Sequence, residues 1–170
     1  MEHVKTLICF ILELHSKLTG RHYVSDKKIL IVEDEIIVAM ATEQKLLDLG
    51  YVVLNTVDTG EDAVKYASQL KPDLILMDII LKGKINGIEA AKRIKGILDI
   101  PIIYLTAYSR SEIITHIPIK ESYEYLVKPF KKSELNNHIK MSLSKNKTKN
   151  VENINKKTLP KFNSYVSAQH

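Results

Sequence analysis

The chain has 170 residues, 45% hydrophobic and 26% charged, which suits one globular domain with extensions and excludes a wholly disordered polymer. A single cysteine, Cys9, excludes an internal disulfide framework, and six histidines without a Cys/His cluster give no zinc-type spacing, so a reducing, cytoplasmic setting is expected. The net charge of +5 is localised: residues 1–26 carry three basic and three acidic side chains, residues 27–143 sixteen of each, and residues 144–170 six basic against Glu152 alone.

In chain order, "TLICFIL" is broken by Glu13 and His15, well short of the ~20 apolar residues of a membrane span. "MEHVK" before it, with no small-residue cleavage site after it, does not read as a signal peptide. Residues 1–26 are therefore expected to be an N-terminal extension with the character of an amphipathic helix. "KILIV" follows as a short apolar strand, and "EIIVAMATEQKLLDLG" has helical apolar spacing closed by Gly50. "YVVLNTV" is the next strand; Gly60 and "EDAVKYASQLK" give a helix ended by Pro72, and "DLILMD" a third strand. The loop "IILKGKIN" leads to the helix "GIEAAKRIKGIL", then the strand "IPIIYLTA", a polar helical stretch from Ser109, the strand "YEYLV" and the helix "KKSELNNHIKMSL". Residues 145–170 show neither a 3.6- nor a 2-residue apolar period and are expected to form a basic, disordered tail.

Five short hydrophobic strands alternating with five helices predict a doubly wound, five-stranded parallel sheet with helices on both faces. In such sheets ligands collect beyond the carboxyl ends of the strands. The first strand ends in Glu33 and Asp34, the third in Asp78, the fourth in Thr106 and the fifth in Lys128. Any one of these reads equally well as a solvated turn residue; together they describe one crevice. Three crowded carboxylates imply a divalent cation, and an all-oxygen donor set selects magnesium, with manganese as the alternative. Lys128 then offers a point charge and Thr106 a hydroxyl toward phosphoryl oxygens, so that a carboxylate could form an aspartyl phosphate. A DNA-binding regulator would need an effector domain that residues 145–170 do not supply. A small-molecule phosphotransferase is disfavoured because no G-x-x-x-x-G-K-[ST] loop occurs.

Taken in order, "ILIVEDE", "DLILMDI", "NGIEAA", "YLTA" and "YLVKPF" resemble the receiver domain of two-component response regulators, here spanning residues 27–144. The resemblance implies a flavodoxin-like strand order of 2-1-3-4-5. It makes Asp78 the phosphoacceptor, Asp34 a direct magnesium ligand, Glu33 an acidic partner acting chiefly through water, and Ile80 a ligand through its backbone carbonyl. Lys128 would bind a phosphoryl oxygen, Thr106 would swing toward the phosphoryl group, and Tyr125 would turn inward with it. The Lys128–Pro129 bond would be cis. A sensor histidine kinase or phosphotransfer protein would be the donor. A downstream protein would read the surface made by Ser109–Pro118, Tyr125 and Lys131–Leu143. The chain would then be a stand-alone signalling receiver rather than an enzyme, assisting only its own phosphorylation and dephosphorylation. Ile80 and Tyr108 fall where the family tunes phosphoryl lifetime. Departures from the pattern are Lys82 and Gly83 in the loop after Asp78, Gly87 nine residues after Asp78, Glu124 before Tyr125, and Pro118.

Overall fold

In the computed structural model, residues 26–107 and 124–158 are described, residues 147–158 through their backbone alone. Strands β1 (Lys28–Val32), β3 (Leu74–Asp78) and β4 (Ile102–Thr106) are buried at nearly every position. Their unbroken runs of Ile, Leu and Val suit strands covered on both faces. β2 (Val52–Val57) and β5 (Glu124–Val127) are only partly buried. The difference follows from position: all pairings are parallel and the order is β2-β1-β3-β4-β5, so the two partly exposed strands are the edges. This is the doubly wound sheet expected from the alternation of elements, in the expected order.

Period-two alternation sorts the core onto the two faces. Leu30, Val32, Ile75 and Met77 meet Ala63 and Ala67 of α2 (Gly60–Leu70) and Ala90, Ala91 and Ile94 of α3 (Gly87–Lys95). Ile29, Ile31, Leu74 and Leu76 turn the other way, toward Leu46 of α1 (Ile36–Asp48) and Leu135 and Ile139 of α4 (Lys132–Thr158). Small alanines on α2 and α3 let those helices sit close to the sheet. Two of the helix starts are closed by side chains: Thr59 accepts from the Asp62 N–H at 3.2 Å and Asn86 from the Glu89 N–H at 2.9 Å.

α4 corrects the sequence reading. A helix ending near Leu143, then a disordered tail, was expected; the helix runs on to Thr158. Apolar periodicity reports which face of a helix is buried, not whether the backbone is helical. Once Leu135 and Ile139 dock, each added residue gains one backbone hydrogen bond against a nucleus already formed, and lysine propagates a helix well. The continuation therefore carried no apolar pattern to read. The Lys128–Pro129 bond is cis, as expected. The extension at 1–25, the helical stretch at Ser109–Pro118, Tyr108 and residues 159–170 lie outside the described residues. Among the described residues no helix is long and apolar enough to cross a membrane.

Candidate functional site

Parallel register brings the strand ends into one row. Val32 lies beside Met77, Asp78 beside Leu105 and Thr106 beside Val127, so Glu33, Asp78, Thr106 and Lys128 all emerge along one edge of the sheet. Backbone bonds extend the ladder past the strands: the Glu33 N–H donates to Val57 O at 2.9 Å, Ile79 to Leu105 O at 3.2 Å and Lys128 to Thr106 O at 2.7 Å. Each of these side chains is thus fixed where a strand ends rather than by a free loop.

The carboxylates of Glu33, Asp34 and Asp78 each offer an oxygen, and these oxygens lie within 4.8 Å of one another. Lys128 joins two of them, its Nζ 2.7 Å from Asp78 Oδ2 and 2.5 Å from Glu33 Oε2. The other Asp78 oxygen, Oδ1, accepts the Ile80 N–H at 3.1 Å. Ile80 itself is 55% exposed. Thr106 is buried one residue beyond Leu105, the strand neighbour of Asp78, and Tyr125, partly buried, packs against the core on the α2 and α3 face. Gly87 explains the tight join of β3 to α3. Its N–H donates to Ile79 O at 3.0 Å, and a Cβ there would stand 1.8 Å from the Asp78 carbonyl oxygen.

Electrostatics bind these groups together. Burial pushes the Glu33 carboxyl up to about 7; the Lys128 hydrogen bond opposes this and the charge of Asp78 adds to it. Burial pulls the Lys128 ammonium down, but its hydrogen bonds to Asp78 and Glu33, with their charges, outweigh that and hold it above its ordinary value. The three carboxylates have more negative charge than one lysine neutralises, with only oxygen donors facing the gap. This set fits a hard divalent cation.

Glu33 has a consequence for stability. Its folded value of about 7 exceeds the ordinary 4.5, so between these values the folded protein holds a proton that the unfolded chain has released. Stability supplied by that proton is present below pH 4.5 and lost as pH rises toward 7. In chelating buffer, the melting temperature of the wild type should fall across this window relative to Glu33→Gln, whose profile should be flatter. Parallel profiles would show that Glu33 stays ionised throughout.

Two residues of the site were missed as participants. Lys82 Nζ lies 3.7 Å from Asp34 Oδ2, and Glu61 Oε1 accepts the Lys84 N–H at 2.9 Å. Both act across loops, where neither period nor strand-end position gives a signal; only the departure at Lys82 marked the place.

A family model described as the response regulator receiver domain matches residues 29–140. The transcriptional regulatory protein PdtaR of Mycobacterium tuberculosis strain H37Rv is 34% identical over 119 residues, covering 70% of this chain and 58% of that protein. The phyllosphere-induced regulator PhyR of Methylorubrum extorquens is 34% identical over 127 residues, 73% of this chain and 47% of that protein. The chain spans about half the length of the curated relatives it matches. Among solved structures, the receiver domain of the sensor histidine kinase PA1611 from Pseudomonas aeruginosa PAO1 has a magnesium ion coordinated in its active site cleft. It is 32% identical with a TM-score of 0.63, covering 71% of this chain and 99% of that one.

Proposed function

The chain belongs to the response regulator receiver family, and from that membership we propose that it is a phosphorylation-controlled switch whose phosphoacceptor is Asp78. The observation that carries the reading is the placement of Asp78: one oxygen on the Lys128 ammonium, the other on the Ile80 N–H, inside a cluster of three carboxylates. The donor is a phosphohistidine of a sensor histidine kinase or phosphotransfer protein. An Asp78 oxygen attacks phosphorus, the O–P bond forms as the P–N bond breaks, and the imidazole leaves and takes a proton. Lys128 passes from the Asp78 carboxylate to a phosphoryl oxygen, and Thr106 turns its hydroxyl toward another. Magnesium, or manganese in its place, would be held by Asp34 and Asp78 with the Ile80 carbonyl and Glu33 through water; when bound, it neutralises the charge between carboxylates and donor.

The output follows from the same movement. As Thr106 turns, space opens for the Tyr125 ring, and phosphorylation biases two states that differ at Tyr125, at Lys131–Leu143 and at the stretch Ser109–Pro118. A downstream protein reads that surface. The chain turns over no separate substrate; it accelerates only its own phosphorylation and dephosphorylation, in a cytoplasmic setting.

Incubating the full chain with acetyl phosphate should add one acid-stable, base-labile phosphoryl group by intact mass, and only with divalent metal present. Labelling of equal extent in chelator would overturn the metal requirement. No labelling from either acetyl phosphate or a histidine-phosphorylated donor would overturn the switch.

A further inference from the structure

Lys82 stands at the mouth of the acidic cluster. Its Nζ donates to the Asp34 backbone oxygen at 3.3 Å and lies 3.7 Å from Asp34 Oδ2. The loop that presents it is anchored at several points. Lys82 forms a parallel bridge with Thr59, and the next residue, Gly83, has φ +108°, where a Cβ would approach Glu61 Oε2 to 2.6 Å. Glu61 holds the following residue through the Lys84 N–H at 2.9 Å. Its own backbone N–H and that of Lys84 keep the Glu61 carboxyl below its ordinary value, so this clamp is charged at neutral pH. The loop thus fixes the backbone of Lys82 within reach of Asp34, while Lys128 is committed to Asp78 and Glu33.

We propose that Lys82 is a tethered counterion of Asp34 that competes with the divalent ion and so sets its affinity for the site. The inference rests on the reading of Glu33, Asp34 and Asp78 as a cation site. An ammonium beside Asp34 offsets charge that a metal would otherwise offset, and a metal ion bound to that carboxylate repels the ammonium. Binding must therefore displace Lys82 toward solvent, which its side chain, 71% exposed, can reach without disturbing the fold. The effect is bounded by the same exposure: a solvated pair of this kind shifts an equilibrium by about two- to fivefold.

The test is a magnesium titration of the full chain at low ionic strength, followed by amide NMR shifts, on wild type, Lys82→Met and Lys82→Arg. Lys82→Met should bind magnesium about two- to fivefold more tightly, and Lys82→Arg should stay near wild type because it keeps the cation. The gap should narrow as salt rises. Equal affinity of wild type and Lys82→Met would overturn the competition alone. Weaker binding by Lys82→Met would overturn it too, because Lys82 would then be holding Asp34 in place for the ion. Absence of binding by all three would overturn the cation site and this inference with it.

Discussion

Asp78→Asn should take up no phosphoryl group from acetyl phosphate under conditions that label the wild type fully. The amide oxygen is neutral and a poor nucleophile, so the question is whether a neighbouring carboxylate could substitute. The geometry says no. Glu33 touches the same lysine, but its side chain is fully buried, leaving no line of approach for a donor. Asp34 is more accessible, yet the ammonium beside it is that of Lys82 at the rim rather than Lys128. Asp78 combines the Lys128 contact and the Ile80 N–H bond with a side chain that, unlike that of Glu33, is not wholly enclosed, so that orientation, charge neutralisation and access coincide. Removing one of three crowded carboxylates also relieves repulsion while Lys128 keeps Glu33. The variant should therefore melt within a few degrees of wild type, which separates loss of chemistry from loss of fold. Peptide mapping that found phosphate on Asp34 or Glu33 in the variant would show that the cluster does not discriminate among its members.

Gly87→Ala should be the most damaging single-methyl change near the site. The added Cβ would fall 1.8 Å from the Asp78 carbonyl oxygen and 2.9 Å from the Asp78 carbonyl carbon, and neither is a side chain that can swing away. The end of β3 and the start of α3 would have to separate, breaking the Gly87 N–H bond to Ile79 O. Such overpacking costs about 3 kcal/mol, or roughly 10 °C in melting temperature for a domain of this size. Because the displaced atoms belong to Asp78, the phosphorylation rate should fall by at least ~10-fold, equivalent to about 1.4 kcal/mol in the barrier. Gly96→Ala is the control. There the nearest neighbour of a new Cβ is Arg93 O at 3.4 Å and φ is −69°, so the melting temperature should hold or rise slightly. Equal melting of Gly87→Ala and wild type would refute the close approach.

These effects bear on what a sequence can disclose. The central strands were legible because full burial leaves unbroken Ile, Leu and Val runs, and the site was legible because polar residues at the ends of such runs have little structural reason to be there. Glu33, Asp34, Asp78, Thr106 and Lys128 do gather on one edge, as expected. The course of α4 past Leu143 was not legible, since backbone propagation needs no apolar stripe. Lys82 could be recognised as a departure but not placed, because its position depends on the Thr59 bridge and the Glu61 clamp, contacts made across the chain. Glu33 shows a third kind of gap: its acidity could be read, but not its burial, which moves its proton affinity toward neutrality against the pull of Lys128.

The continuation of α4 also has a mechanical meaning. One half of the helix is seated on the sheet through Leu135 and Ile139, and residues 147–158 extend it by roughly 18 Å at the helical rise. A helix seated at one end acts as a lever about that seat. Tilting the seated half by about 10° would carry the far end through roughly 3 Å at that length. Repacking of about 1 Å beneath the seat would thereby become a displacement large enough to make or break a van der Waals contact at the tip.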